Sequence, residues 1–184
     1  MTGTLTQSLR SDARDNRDRI LVAARAVFAA EGLEVPLREI ARRAGVGPAT
    51  LYRHFPTKQA LVTEAFAEQL HACHAVLEEG LAAADPWTGL STAIARLCEL
   101  HARDWGFAAA FSHADLTAAR SRSLAALAEL ASRARATGRM RADVTVDDLI
   151  LMLAANTGLR ATSPEARVAA SRRFAELTIR ALRA

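Results

Sequence analysis

A chain of 184 residues is long enough for one medium domain or two small ones with a buried core. Apolar residues make up 51% of it, which excludes a disordered chain, and aromatics at only 5% beside abundant alanine and leucine favour an all-α fold. The net charge of +4 lies entirely in residues 1–60, where ten Arg and Lys face six Asp and Glu, so a polyanionic partner is expected for that third and not for the balanced remainder.

Residues 1–14 show no periodicity, lack the apolar run of a secretory signal, and read as a flexible arm. From Asn16 to Glu31, Ile20, Leu21, Ala24, Val27 and Phe28 form one apolar stripe on a helix, which Gly32 ends. Pro36 opens a second helix, LREIARRA, with Leu37, Ile40, Ala41 and Ala44 inward and Arg38, Arg42 and Arg43 outward. Gly45 ends it, and Pro48 opens a third helix that Pro56 stops after about two turns.

A fourth helix is expected from about Thr57 to about Leu81, carrying Leu61, Phe66, Leu70, Cys73 and Leu77. Asp85 caps the next, which has Pro86 in its first turn and runs to about Trp105; an aromatic bend with Phe107 and Phe111 follows. Another helix spans about Thr117 to Thr137 and stops at Gly138. Thr145 and Asp148 have capping-box spacing for a helix to about Leu159, and Ser163 with Pro164 opens a last one to about Leu182. The longest apolar run, Leu149 to Ala155, is far short of the ~20 residues that span a bilayer. A cytoplasmic protein with Cys73 and Cys98 reduced is expected.

The short third helix carries most of the functional signal. At about 100° per residue, Leu51 and Phe55 lie about 40° apart and face inward. Ala49 and Arg53 then point away, flanked by Thr50 and Tyr52, with His54 nearer the Thr50 side. Two helices joined by a Gly-containing turn, the second bearing exposed polar groups, are the pattern of a helix-turn-helix, whose second helix enters the DNA major groove. The small Gly47 and Ala49 let the backbone come close to a duplex, with Pro48 between them at the same surface.

From about Asp15 to Phe66, through GLEVPLREIARRAGVGPATLYRHFPTKQAL, the chain closely resembles the TetR family of one-component repressors. The spacing of Ile40-Ala41, Ala44-Gly45-Val46, Thr50-Leu51-Tyr52, His54-Phe55 and Lys58 carries the resemblance. It implies a three-helix DNA-binding domain over residues 15–60 and a helical effector-binding and dimerisation domain over 61–184, about nine helices in all. It also implies Tyr52, His54 and Lys58 on DNA phosphates, Thr50 and Arg53 on bases or neighbouring phosphates, and Arg38 at the same surface. Pro36 and Gly47 depart from the Ser or Thr frequent in the family; losing those hydroxyls shifts weight to backbone amides and arginines.

The resemblance further implies a homodimer on a palindromic, double-stranded operator, with a small molecule as effector and no cofactor. Leu149, Ile150, Met152 and Leu153 on one helix and Phe174, Leu177 and Ala181 on another suit a dimer surface, although intramolecular packing competes for them. Phe66, Leu70, His74, Leu97, His101, Trp105, Phe107 and Phe111 are candidate effector contacts, against ordinary core packing for each. HACH at His71–His74 and CELH at Cys98–His101 place two i, i+3 pairs where a metal could bridge antiparallel helices, but this is not a strong zinc spacing and no metal site is assigned. A helical-bundle enzyme would need two Glu/Glu-x-x-His sets, and Glu68 with His71 gives one. A helical interaction protein with an incidentally basic head is the other rival.

Overall fold

The computed structural model describes residues 3–104, 107 and 117–184. Among them are nine helices: α1 Gly3–Glu31, α2 Leu37–Ala44, α3 Pro48–His54, α4 Lys58–Ala65, α5 Ala67–Leu81, α6 Pro86–Arg103, α7 Thr117–Ala136, α8 Val146–Thr157 and α9 Pro164–Leu182. The only β-type pairing among the described residues is a single bridge between Met140 and Arg183. The chain divides into two compact units, the first ending at Ala67 and the second covering Glu68–Ala184.

In the first unit, Ile20, Ala24, Val27 and Phe28 of α1 meet Ile40 and Ala41 of α2, Leu51 of α3, and Leu61, Val62 and Ala65 of α4, all buried. Each large side chain so buried contributes about 1.5–3 kcal/mol relative to exposure. Phe66 joins this core, its ring centroid 6.2 Å from that of Phe28. Arg25 donates to the Ala65 carbonyl at 3.2 Å and so satisfies one of the open acceptors at the end of α4.

Three features differ from the sequence expectation. The backbone from Gly3 to residue 14 is helical and continues into α1, where a flexible arm was expected. No proline interrupts it, and extending a formed helix adds one bond per residue without a new nucleus. The expected helix from Thr57 to Leu81 is broken at Phe66, whose backbone (φ −115°, ψ 19°) leaves the helix as its side chain enters the core. Because α4 packs with α1, the first unit closes at Ala67, seven residues beyond residue 60.

The second unit is built around α6, whose Trp87, Leu90, Ala93, Ile94, Leu97, Cys98 and His101 are all buried. Caps match the sequence closely. Asp85 Oδ2 accepts from the Thr88 amide at 3.0 Å, Ser163 Oγ accepts from Ala166 at 3.1 Å, and Thr145 with Asp148 forms the reciprocal box. At the turn between α5 and α6, a Cβ added to Gly89 would lie 2.3 Å from the Gly80 carbonyl oxygen, so only glycine allows that backbone contact. A buried polar cluster ties three helices together: Asn156 Nδ2 of α8 donates to the Cys98 carbonyl of α6 at 3.0 Å. Ser171 Oγ of α9 lies 2.8 Å from that carbonyl and 2.8 Å from Asn156 Oδ1. On the rim, Arg172 of α9 grips Glu99 of α6 with two contacts of 3.0 Å, and these with Arg103 hold the Glu99 carboxyl down at about 2.

Candidate nucleic-acid interface and ligand cavity

The geometry that presents α3 begins at Gly45. Its φ of 66° is left-handed, its amide bonds the Arg42 carbonyl at 3.2 Å, and the Val46 amide bonds the Ala41 carbonyl at 3.0 Å. This is a Schellman ending, which satisfies the last carbonyls of α2 and turns the chain sharply into α3. Gly47 is the N-cap of α3 in extended backbone (φ −70°, ψ 149°), and a Cβ there would meet nothing within 4 Å. Neither conformation nor packing within the chain therefore demands glycine at 47. Pro36 likewise stands as the N-cap of α2, one residue before the helix, and gives it no side-chain cap.

Leu51 and Phe55 are fully buried beneath α3, as their angular positions require. Pro48, Ala49 and Arg53 are exposed, Tyr52 is 51% exposed, and Thr50 is half-buried on the flank. Lys58, half-buried, follows the Thr57 N-cap, whose Oγ1 accepts from the Ala60 amide at 3.0 Å. Arg38, Arg53 and Lys58 form no ion pair among the described residues. Arg42 and Arg43 behave otherwise: both bond Glu39, at 2.7–2.9 Å, and Arg43 also pairs with Glu31. The hydrogen bonds from Arg42 and Arg43 hold the Glu39 carboxyl down at about 2, so this part of α2 is internally neutralised. Around α3, the positive charge left without an acidic partner among the described residues includes Arg38, Arg53 and Lys58.

His54 sits differently from its neighbours. It is half-buried, and its Nε2 is shielded from solvent without a hydrogen-bond partner among the described residues. Burial lowers its pKa, and the charges of Arg53 and Arg17 lower it further. Arg17 is a residue the sequence reading did not single out: it pairs with Glu64 at 2.8 Å and lies over the Phe55 ring at 5.4 Å, bracing the end of α3 from α1. No motif reveals it, because its partners lie about forty residues away.

In the second unit a cavity of about 110 Å³ lies among four helices. Cys73 and Leu77 of α5, Leu97 and His101 of α6, Ser123, Leu124 and Leu127 of α7, and Ile150, Leu153, Ala154 and Thr157 of α8 line it. Of the expected effector contacts, Leu97 and His101 are in its wall. Phe107 packs against His101, with ring centroids 5.7 Å apart, and is fully buried. Phe66 belongs to the first unit's core, Leu70 and His74 are outside the lining, and Trp105 and Phe111 lie outside the described residues. Burial pushes the His101 imidazole down to about 4 and both thiols, Cys73 and Cys98, up to about 12. No group of three or more metal-binding side chains gathers among the described residues; His74 instead approaches Glu78 at 3.7 Å.

The expected dimer residues divide. Leu149 is 1% exposed and Leu153 is also buried, both facing the unit's own interior, while Ile150, Met152 and Phe174 are half-buried. Leu177 and Ala181 of α9 are exposed, and Leu151 of α8, which the sequence reading passed over, is 67% exposed.

A short polar-faced helix set on a Gly-capped turn, with a second helical unit that holds a cavity, is the architecture of a helix-turn-helix regulator. Two family descriptions match, one in each unit. Residues 20–65 match "Bacterial regulatory proteins, tetR family" and residues 85–184 match "Transcriptional regulator SbtR-like, C-terminal domain". The TetR transcriptional regulator SCO0520 of Streptomyces coelicolor is 32% identical, with 91% of this chain and 98% of that one covered, at a TM-score of 0.57. A TetR transcription regulatory protein of Mycobacterium vanbaalenii is 36% identical, with coverages of 96% and 99% and a TM-score of 0.53. An HTH-type transcriptional regulator of Staphylococcus aureus (strain USA300) is 44% identical over 54 residues, which is 29% of each chain. The chain belongs to the tetR family of bacterial regulatory proteins. Among the described residues, no helix is long and apolar enough to cross a membrane.

Proposed function

We propose that this regulator is a ligand-responsive repressor that binds a palindromic DNA operator as a homodimer and is released by a small molecule. The observation that carries the reading is the division of α3: Leu51 and Phe55 anchor it in the core, while Arg53 and Tyr52 stand exposed with no acidic partner among the described residues. A guanidinium so placed is suited to two parallel hydrogen bonds with a guanine edge. Thr50, Tyr52 and Lys58 supply phosphate contacts that fix the register, with Arg38 at the edge; Gly47, Pro48 and Ala49 give a slim approach. His54, neutral and half-enclosed, serves this surface as a hydrogen-bonding group and not as a cation.

Leu151, Leu177 and Ala181 offer α8 and α9 an apolar surface for the second copy, and two copies present two reading helices to two half-sites. The cavity supplies the effector site. A ligand that prefers the DNA-free conformer of the dimer releases the operator by population shift. Titrating salt against duplex binding tests the reading. Affinity should fall steeply with salt while preference for one sequence persists; binding that is weak and indifferent to salt, or equal for all duplexes, would contradict it.

A further inference from the structure

The cavity of the second unit is small, mostly apolar and partly open. Its volume of about 110 Å³ is somewhat below the ~150 Å³ of an apolar cavity known to take benzene. Leu77, Leu97, Leu127, Ile150 and Leu153 make most of its wall, and no Asp, Glu, Lys or Arg lines it among the described residues. Its polar atoms are few. Thr157 Oγ1 already donates to the Ala154 carbonyl at 2.7 Å, so toward a guest it is an acceptor. Ser123 brings a hydroxyl. His101 is the only nitrogen base among the lining residues, and its burial keeps it uncharged at neutral pH, so it gives a carboxylate no counter-ion.

We propose that this cavity selects small, uncharged, hydrocarbon-rich molecules built on no more than one benzene-sized ring, with at most one hydroxyl-type group, and rejects carboxylates, phosphate esters and amines. An ion entering it would lose its hydration and gain no opposite charge in return. A neutral guest exchanges water for aliphatic contacts and at most one hydrogen bond near Ser123. The regulatory consequence rests on the effector reading given above; the choice of guest does not.

The test uses the full chain with toluene and phenol as neutral probes and benzoate and benzylamine as charged isosteres, followed by calorimetry and ligand-observed NMR at pH 7.4. Toluene and phenol should bind saturably, one per chain, with both charged probes at least about a hundredfold weaker because an unpaired charge is strongly disfavoured there. Filling the cavity from two half-buried wall positions, with Ile150→Phe and separately Leu124→Trp, should each weaken toluene at least about tenfold. Two variants keep the test decisive if one of them folds poorly. Tight binding of benzoate or benzylamine, no binding of either neutral probe, or toluene binding unchanged in a folded filled variant would overturn the proposal. Repeating the titration with duplex DNA present separates the two readings: toluene that occupies the cavity without changing DNA affinity upholds the selectivity and removes the effector role.

Discussion

Acid should loosen the cavity unit through one residue. His101 titrates at its ordinary 6.5 in the unfolded chain and at about 4 when folded, because burial disfavours the imidazolium. Between those values the unfolded state binds more protons, so stability rises with pH: it is fully present above 6.5 and is lost as pH falls toward 4. Integrating that difference from pH 7 to pH 5 gives a loss of about 2 kcal/mol. The depressed carboxylates act lower down: Glu99, at about 2 against 4.5, loses its contribution only as pH falls below 4.5. The interval from pH 7 to 5 therefore isolates histidine. His54 also has a lowered pKa and contributes with the same sign, so the comparison must be between wild type and His101→Leu. Urea unfolding followed by circular dichroism at both pH values should show the variant losing about 2 kcal/mol less than wild type over that interval. An equal loss in the two proteins would refute a buried, neutral His101.

Other outcomes follow from the same geometry. Arg53→Ala should cost about 1–3 kcal/mol in operator binding and relax preference at one base position, measured by anisotropy on single-base operator variants. Lys58→Ala should weaken all duplexes alike and reduce the salt slope by about one, as a lost phosphate contact does. Gly89→Ala should destabilise the second unit by about 1–3 kcal/mol in urea unfolding, because the new methyl has a backbone carbonyl 2.3 Å away and no flexible neighbour to displace. Leu151→Glu should shift the protein toward monomer in analytical ultracentrifugation and leave its helicity unchanged, since that side chain is mostly exposed in the single chain.

Much of this was legible in the sequence because the signals were local. Gly45, Pro48 and Pro56 mark the limits of α3, and the angle between Leu51 and Phe55 fixes which side remains outside. Asp85, Thr145 and Ser163 announce their helices because a cap reads only three residues ahead. What depended on distant partners was not legible. The break at Phe66 has no glycine or proline to mark it and follows from a ring sinking against Phe28. In the run Leu149 to Ala155 every position is apolar, so periodicity could not tell the inward Leu149 and Leu153 from the outward Leu151. The cavity draws a few residues from each of four helices, and Cys73 and Ser123 give no hint in the sequence that they share a wall with His101.

The central claim is that α3 is a reading head presented in two copies. Selecting bound duplexes from a random DNA pool with the purified protein tests it most directly. An inverted repeat whose half-sites lie about one helical turn or more apart should be enriched, with enrichment abolished or blurred at one position per half-site by Arg53→Ala. A pool that stays random, or one that enriches a sequence equally well for wild type and Arg53→Ala, would contradict it.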